Sequence, residues 1–438
     1  KLFRYIVGMI SIFTPTNNTT WIKEAWDSLK DQPVQFEWLI GLNGNADRSN
    51  IPEDEKIKIF DLGAWSGVGA AKKQLCELAS GEILLELDHD DILAENALQD
   101  VVEAFQDSEI GFVYSDTAEW VDATGAPFVY SSEYGWENYP CVIRGKQLLA
   151  MVSFEANART LAQILYAPNH LRAWRTSVYK EIGGHDPTLK VADDFDLMAR
   201  TYLVTKLKHI PKPLYGYRRR SDGGNTWLQN VHLIQELCGQ GKDSNIPAAG
   251  QPMQLRDKYL HKLVERECEL RNLPKVDVGG GIFGAEGWTT LDISGNPDIQ
   301  HDVFGTKKLP FADNSVGAFR MFDFLEHSVD EDAFWLMEEI YRCLAPGGWL
   351  LSKTPHALGI GASCDPSHKS RWDERRFLYW CSDGLRPFLL SAYPSAKAQF
   401  RPVRLYKQNF ILGPHPWRFD VPYVIADLVV SKGKKLPL

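Results

Sequence analysis

Residues 82–91 read Glu82-Ile83-Leu84-Leu85-Glu86-Leu87-Asp88-His89-Asp90-Asp91, an apolar run that stops at three carboxylates within four residues. A buried strand ending in such a cluster delivers its acids to a sheet edge, where their oxygen atoms can hold a hard divalent cation. The stretch reads as a metal and diphosphate site, or as an acidic turn capping the next helix.

Upstream, Tyr5 to Phe13 reads as a buried strand running into the polar turn Thr14-Pro15-Thr16-Asn17-Asn18. An amphipathic helix follows, with Trp21, Ile22, Ala25, Trp26 and Leu29 on one face. A strand from Phe36 to Leu42 ends at Asn43-Gly44-Asn45, and a third, Ile57 to Phe60, leads to the small-residue stretch from Gly67 to Lys73 that opens another helix. The alternation is βαβ-like, and ligands of such sheets lie beyond the carboxyl ends of the strands.

Downstream, Val113-Tyr114-Ser115-Asp116 is another strand ending in an acid. Later come His170-Leu171-Arg172, Gly183-Gly184-His185-Asp186, Ala192-Asp193-Asp194-Phe195-Asp196-Leu197 and Tyr215-Gly216-Tyr217-Arg218-Arg219-Arg220. The pair Asp193-Asp194 either caps a helix through Arg200 or presents a carboxylate that can take a proton. Asp116 is equally readable as a turn former, and His170 and His185 as core or surface histidines.

Taken together, Thr14-Pro15-Thr16, Asn43-Gly44-Asn45, Gly67 through Lys72, Leu87-Asp88-His89-Asp90-Asp91 and Ala192 to Leu197 resemble the nucleotide-sugar half of a family-2 glycosyltransferase with a GT-A fold. The resemblance implies a nucleotide-sugar donor, a glycan acceptor and a divalent metal, Mn²⁺ or Mg²⁺, neutralising the departing diphosphate. It makes Asp88 and Asp90 the metal residues and Asp194 the base of an inverting transfer, with Asp193 and Asp196 in support. Thr14, Asn43, Lys72, Asp116 and Arg220 fall at substrate positions, although a basic Lys72 also suits an exposed helix face. Two departures stand out. Asn43-Gly44-Asn45 replaces the family's Asp-Asp-Gly-Ser, and Arg220 stands where a histidine would ligate metal, so it would contact diphosphate oxygens instead.

Gly239 to Pro252 is rich in glycine and proline and reads as a linker, followed by a charged helix from Met253 to Leu270. The expected division is therefore 1–238, a connecting segment 239–272, and 273–438. The last part opens with Lys275-Val276-Asp277-Val278-Gly279-Gly280-Gly281, a strand into a glycine turn. A second strand ends in Asp292, 15 residues after Asp277. His301-Asp302-Val303, Leu309 to Ser315, Leu325-Glu326-His327 and Pro346-Gly347-Gly348 follow. This order resembles class I S-adenosylmethionine-dependent methyltransferases between Leu273 and Pro355, a Rossmann-like α/β fold. By that resemblance Asp277, Gly279 and Gly281 line the methionine part of S-adenosyl-L-methionine, Asp292 holds the ribose, and Asp302 with Val303 meets the adenine. Ile282-Phe283-Gly284 departs from the usual loop.

Methylating a hydroxyl needs in-line alignment and a base for its proton. His356 and His368 lie in loops on the substrate side and are the expected catalytic pair; two histidines could also bind a metal, but no third ligand is evident. His327 suits a helix start equally well.

The whole chain bounds these readings. Its 438 residues suggest two or three domains, and 44% hydrophobic with 24% charged residues is a globular balance. A net charge of −9 argues against a broad nucleic-acid or anionic-membrane surface. Seven dispersed cysteines without a C-x-x-C pair suit a reducing compartment. No apolar run approaches the roughly 20 residues of a membrane span, so a cytoplasmic protein is expected. The expectation is a bifunctional enzyme that transfers a sugar and O-methylates the glycan, as in polysaccharide biosynthesis. The alternative keeps the glycosyltransferase and makes the last part a non-catalytic glycan-binding or scaffolding module.

Overall fold

The computed structural model describes residues 8–44, 46–64, 67–164, 166–238, 255–412 and 419–432. They divide into two compact units, residues up to 238 together with 255–259, and residues from Leu260 onward. The linker expected over 239–252 lies outside the described residues.

The first unit runs β1 (Ile10–Thr16), α1 (Ile22–Leu29), β2 (Phe36–Leu42), β3 (Ile57–Asp61), α2 (Val68–Leu78), β4 (Ile83–Glu86), β5 (Ile92–Leu93), α3 (Ala97–Ala104) and β6 (Ile110–Val121). It continues with β7 (Pro127–Phe128), β8 (Asn138–Ile143), β9 (Lys146–Met151), α4 (Ala158–Gln163), β10 (Arg172–Arg175), α5 (Thr176–Glu181), α6 (Asp193–Val204), β11 (Lys206–Arg219) and α7 (Thr226–Cys238). The sheet order is β3-β2-β1-β4-β10-β6-β11-β5. β1 to β4 are mutually parallel, and β10 enters antiparallel between β4 and β6. Continuous apolar runs in β1, β2 and β4 are what a sheet covered on both faces requires. Ile12, Trp38, Ile40 and Leu85 pack with Ile22, Trp26, Leu29 and Val101 of the helices. Each such large side chain, fully buried, contributes roughly 1.5–3 kcal/mol.

Two local expectations change. Thr14-Pro15-Thr16 is the end of β1 rather than a turn, in register with Ile40, Gly41 and Leu42. Pairing of β1 with β4 stops at Phe13, so Pro15 has a free flank where its missing N–H costs no ladder bond. Trp21 precedes α1 and is only half-buried, unlike Ile22, Ala25, Trp26 and Leu29.

Helix α8 (Leu255–Leu270) leads into the second unit, which runs β12 (Lys275–Val278), β13 (Thr289–Asp292), β14 (Ile299–Gln300), α9 (Val303–Thr306), β15 (Val316–Phe322), α10 (Asp330–Cys343) and β16 (Leu344–Pro355). Then come α11 (Gly361–Cys364), α12 (Glu374–Cys381), α13 (Arg386–Ala392), β17 (Phe400–Leu412) and β18 (Phe419–Val430). The order β14-β13-β12-β15-β16-β18-β17 is parallel as far as β16. The β17–β18 hairpin then adds antiparallel strands. The order reverses between β12 and β15, which opens a crevice at the carboxyl end of β12, where the glycine turn lies. Among the described residues no helix is long and apolar enough to cross a membrane.

Candidate active sites

In the first unit β4 ends at Glu86, and the chain turns through Asp88-His89-Asp90-Asp91 into β5. Glu86 is buried and has Lys72 of α2 as its hydrogen-bonded ion partner. Gly69 makes this possible, because a Cβ there would sit 3.0 Å from both the Asp186 carbonyl and Asp193 Cβ. Helix α2 thus approaches the start of α6 closely enough for the Lys72 ammonium to lie 3.9 Å from Asp193. Burial opposes ionisation of Glu86, but Lys72, His170 and Arg172 hold it well below the usual carboxylate range. Lys72 is therefore interior, not on an exposed helix face as the sequence also allowed.

Arg172 stands opposite Glu86 in the β4–β10 register, and its guanidinium lies 3.9 Å from Glu86 and 3.2 Å from Asp194. Its other nitrogens donate to the carbonyls of Pro168 (2.9 Å) and Tyr166 (3.1 Å). Asp193 and Asp194 open α6 behind Ala192, whose φ of +60° is the left-handed conformation. Asp193 is buried with one carboxylate oxygen that makes no hydrogen bond, and burial pushes it up to about 6. Asp194 stays 32% exposed at its side chain and is the one of the pair that a substrate can reach. His185, 3.7 Å from Asp193, is pushed down to about 3 by burial, with Lys72 adding to the effect.

Asp91 is spent on structure, accepting from the Tyr215 hydroxyl (2.8 Å) and the Arg218 backbone (2.7 Å). Asp88 is half-buried, with its own N–H donating to the Tyr215 hydroxyl at 3.1 Å. Asp90 is buried, and the nearest cation, Arg220, lies 3.9 Å away. Burial pushes Asp90 up, with the neighbouring Asp88 adding to the effect and His89 and Arg220 offsetting only part of it. The Arg220 guanidinium also pairs with Asp222 and lies 4.6 Å over the Trp21 ring, which in turn packs beside His89. Trp21, read from its spacing as core, borders the acidic turn instead.

Asn43 at the end of β2 is buried, and neither its amide oxygen nor its nitrogen has a partner. His89 buries an Nε2 with no hydrogen-bond partner, and the buried Nε2 of His170, 3.8 Å from Glu86, makes none either. Buried polar groups are nearly always paired within a fold, so this concentration beyond β2 and β4 marks a place prepared for a polar ligand. Thr14 and Asp116 differ. The Thr14 hydroxyl donates to the Leu87 carbonyl (2.6 Å) and accepts from Trp38 (2.8 Å), joining β1 to the acidic turn. Asp116 accepts from Tyr139 (2.8 Å) and the Ser153 backbone (2.8 Å) and meets His209 at 2.7 Å. Both side chains are consumed by the fold rather than offered to a substrate.

In the second unit Gly279 has φ +79°, and a Cβ there would overlap the Phe324 ring. A Cβ at Gly280 would come within 2.8 Å of Asp277, and one at Gly281, φ +48°, within 3.3 Å of Asp292. The turn needs all three glycines. Asp277 is buried, pairs with Arg320 at 2.6 Å and accepts from the Ala285 backbone at 2.9 Å, fixing the loop. Asp292 uses one carboxylate oxygen on the N–H groups of Ile293 (2.6 Å) and Ser294 (3.2 Å); the other faces Gly281. Asp302 caps α9, accepting from Gly305 at 2.8 Å, and Val303 points into the core. Ile282 and Phe283 of the departing loop are 74% and 84% exposed.

His356 does not match its expected role. Its Nδ1 accepts from the Leu358 N–H at 3.1 Å, so Nε2 carries the proton and donates to Glu374 at 3.0 Å. With both ring nitrogens engaged it has no lone pair for an acceptor proton. His368 instead lies beside His327, with ring centroids 5.0 Å apart, and its Nε2 is 4.0 Å from Glu326. Burial pushes Glu326 up to about 7. The sequence offered Glu326 only as the middle of Leu-Glu-His.

Comparison with known proteins follows the same division. Residues 11–183 match the family model "Glycosyl transferase family 2", and residues 292–352 match "Methyltransferase domain". Chondroitin synthase of Pasteurella multocida (strain Pm70) is 24% identical over 234 residues, 51% of this chain and 22% of that protein. Glycosyltransferase GlyG of Streptococcus pneumoniae serotype 4 (strain ATCC BAA-334 / TIGR4) is 23% identical over 224 residues, 49% of this chain and 71% of that protein. This chain thus spans about a fifth of the first relative's length. The crystal structure of S. aureus TarS 1-349 covers 59% of this chain and 72% of its own at 18% identity, with a TM-score of 0.37. One polypeptide here joins a glycosyl transferase family 2 domain at its N-terminal end to a methyltransferase domain at its C-terminal end.

Proposed function

We propose that the chain transfers a sugar, with inversion, from a nucleotide-sugar to a glycan acceptor, and methylates a hydroxyl of that glycan from S-adenosyl-L-methionine. The observation that carries the first half is the placement of Asp194: half-exposed, held by Arg172, and linked through Arg172 to Glu86 at the root of the acidic turn.

A divalent metal suits Asp88 and Asp90. Asp90 is buried with its nearest cation, Arg220, at 3.9 Å and shared with Asp222, and among the described residues no third His, Cys, Asp or Glu joins these two as a compact ligand group. A hard cation held by two carboxylates fills its remaining positions with diphosphate oxygens and water, and it would neutralise charge on the leaving group. Asn43, with both amide atoms free, is suited to the nucleoside, and Arg220 to a phosphate oxygen. Arg172 orients Asp194, which removes the acceptor hydroxyl proton as that oxygen attacks. Lys72 and Glu86 neutralise each other beneath the site and fix the start of α6.

S-adenosyl-L-methionine suits the glycine turn. The glycines bring Phe324, Asp277 and Asp292 close against the turn backbone, and the second carboxylate oxygen of Asp292 faces it, as recognition of a ribose diol requires. The cofactor supplies an electrophilic methyl group; the protein must align the acceptor oxygen and take its proton.

Incubation with nucleotide-sugars, candidate glycans and labelled S-adenosylmethionine tests the reading: nucleoside diphosphate release and sugar-dependent methyl incorporation are expected. Absence of methyl incorporation into any glycosylated product sinks the coupling. The exposed Ile282 and Phe283 favour a second reading, in which the last unit binds glycan without catalysis; calorimetry with S-adenosylhomocysteine separates the two, because that reading predicts no heat.

A further inference from the structure

Among the described residues one group of His, Cys, Asp and Glu side chains, Glu326, His327 and His368, brings three ligand atoms within 4.8 Å of one another. From these residues we propose a transition-metal site in the second unit, separate from the acidic turn of the first: a divalent ion of zinc or cobalt chemistry held by one carboxylate and two imidazoles.

Two of the three ligands, Glu326 and His327, are held by outer partners as such a site requires. Glu326 is buried; its Oε2 accepts from the Thr354 hydroxyl at 2.5 Å, and its Oε1 has no partner. The backbone carbonyl of the same residue receives the N–H groups of Lys369 (2.8 Å) and Ser370 (3.0 Å), which ties the loop bearing His368 to the short helical turn after β15 that bears Glu326. His327 turns Nδ1 toward the Ser367 carbonyl at 3.3 Å, which leaves Nε2 as the free lone pair. An outer carbonyl accepting the second ring N–H is the usual support of a ligating histidine. The His368 side chain is 9% exposed, and its Nδ1 is unpartnered. Its Nε2 lies 4.0 Å from Glu326 Oε1. Two atoms bound at about 2.1 Å on a tetrahedral ion stand roughly 3.4 Å apart, so a small side-chain rotation closes the site. Asp365, 3.8 Å from His368 Nε2 and 48% exposed at its side chain, stands at the open side.

Mixed nitrogen and oxygen donors select a borderline transition ion over Mg²⁺ or Ca²⁺, and three protein ligands leave a coordination position for an outside oxygen. Phe324, whose ring bounds Gly279, is two residues before Glu326, so one short segment serves both the glycine turn and the cluster. On the reading proposed above, which this step rests on, the open position would take an acceptor hydroxyl or vicinal diol and lower its pKa for methylation.

The test uses the full chain, stripped with chelator and titrated with Co²⁺. The expected result is the intense visible absorption of tetrahedral cobalt, retained in Asp90→Asn and lost in Glu326→Gln and His368→Ala. His368→Cys provides an independent check, because a thiolate ligand adds a charge-transfer band in the near ultraviolet only if position 368 touches the ion. An unchanged cobalt spectrum in His368→Ala, or no added band in His368→Cys, overturns the site. S-adenosylhomocysteine calorimetry on the same samples keeps the readings apart: lost heat with an intact cobalt spectrum defeats the methyltransferase reading and leaves the metal site standing.

Discussion

Arg172 and Asp194 meet at 3.2 Å at the mouth of the first unit, with the arginine 1% exposed and the acid still open to solvent. A base placed this way is expected to supply about 10²–10⁴ of the rate. Asp194→Asn should therefore lower kcat for sugar transfer by at least about 10²-fold, with little change in donor KM. Arg172→Lys keeps the charge but loses the fork that also engages Pro168 and Tyr166, and should lower kcat less than Asp194→Asn. Steady-state assays on both variants check the order; equal activity in Asp194→Asn and parent removes the base.

Lys72 is the cation between Glu86 and Asp193. Removing one member of a buried pair strands the other charge, so Lys72→Met should destabilise the protein by about 3–5 kcal/mol. Lys72→Met combined with Glu86→Leu should recover part of that loss, because the double change strands less charge. Urea unfolding of the single and double variants gives the coupling.

How far the sequence reached this site follows from what each residue's role depends on. The acidic turn after β4 was legible because an apolar run interrupted by acids has few structural uses. The pairing of Glu86 with Arg172 was not, since it needs β10 threaded antiparallel beside β4, and strand partners 86 residues apart leave no periodic trace. The same limit hid Trp21, whose spacing fits the core face of α1 although it borders the acidic turn, and Asp116, whose acid looks available until Tyr139, Ser153 and His209 surround it. In the second unit the glycine turn announced itself through composition. Glu326 did not, because its ligand partner His368 arrives from a loop 42 residues later.

His185 and Asp193 pull stability in opposite directions as pH changes. His185 falls from 6.5 to about 3 on folding, so the native state binds fewer protons than the unfolded chain between those values. Its contribution rises with pH through that window and is complete above it. Asp193 rises from 3.8 to about 6, so its contribution is full below the lower value and falls away as pH climbs through the window. Relative to the parent, His185→Gln should lose stability progressively as pH rises from about 3 to about 6.5, whereas Asp193→Asn should gain it from about 3.8 to about 6. Urea midpoints at several pH values show the two slopes; slopes of the same sign refute the assignment.

Gly279→Ala forces a Cβ into the Phe324 ring at φ +79°. The left-handed backbone alone costs a non-glycine residue about 1–2 kcal/mol, and the overlap displaces the aromatic ring that bounds the turn. S-adenosylhomocysteine affinity should fall by at least about tenfold, with sugar transfer unchanged. Asp292→Ala should weaken the same ligand without disturbing the turn, since only two backbone N–H groups lose an acceptor.

Asp90 gives the sharpest test of the cation in the first unit. It is buried, and Arg220 at 3.9 Å is divided between it and Asp222, so the ionised carboxylate is under-compensated in the free protein. A divalent ion binding there relieves that cost, and the relief should appear as stability. Mn²⁺ should raise the melting temperature of the parent and not that of Asp90→Asn, which keeps the shape and discards the charge. The variant itself should be no less stable than the parent without metal, because it removes a buried charge whose partner is distant. Nucleoside diphosphate should bind the parent more tightly with Mn²⁺ than without, while Asp90→Asn should show the weaker, metal-independent affinity throughout. A variant that still gains both heat stability and diphosphate affinity from Mn²⁺ would place the ion elsewhere than at the turn after β4.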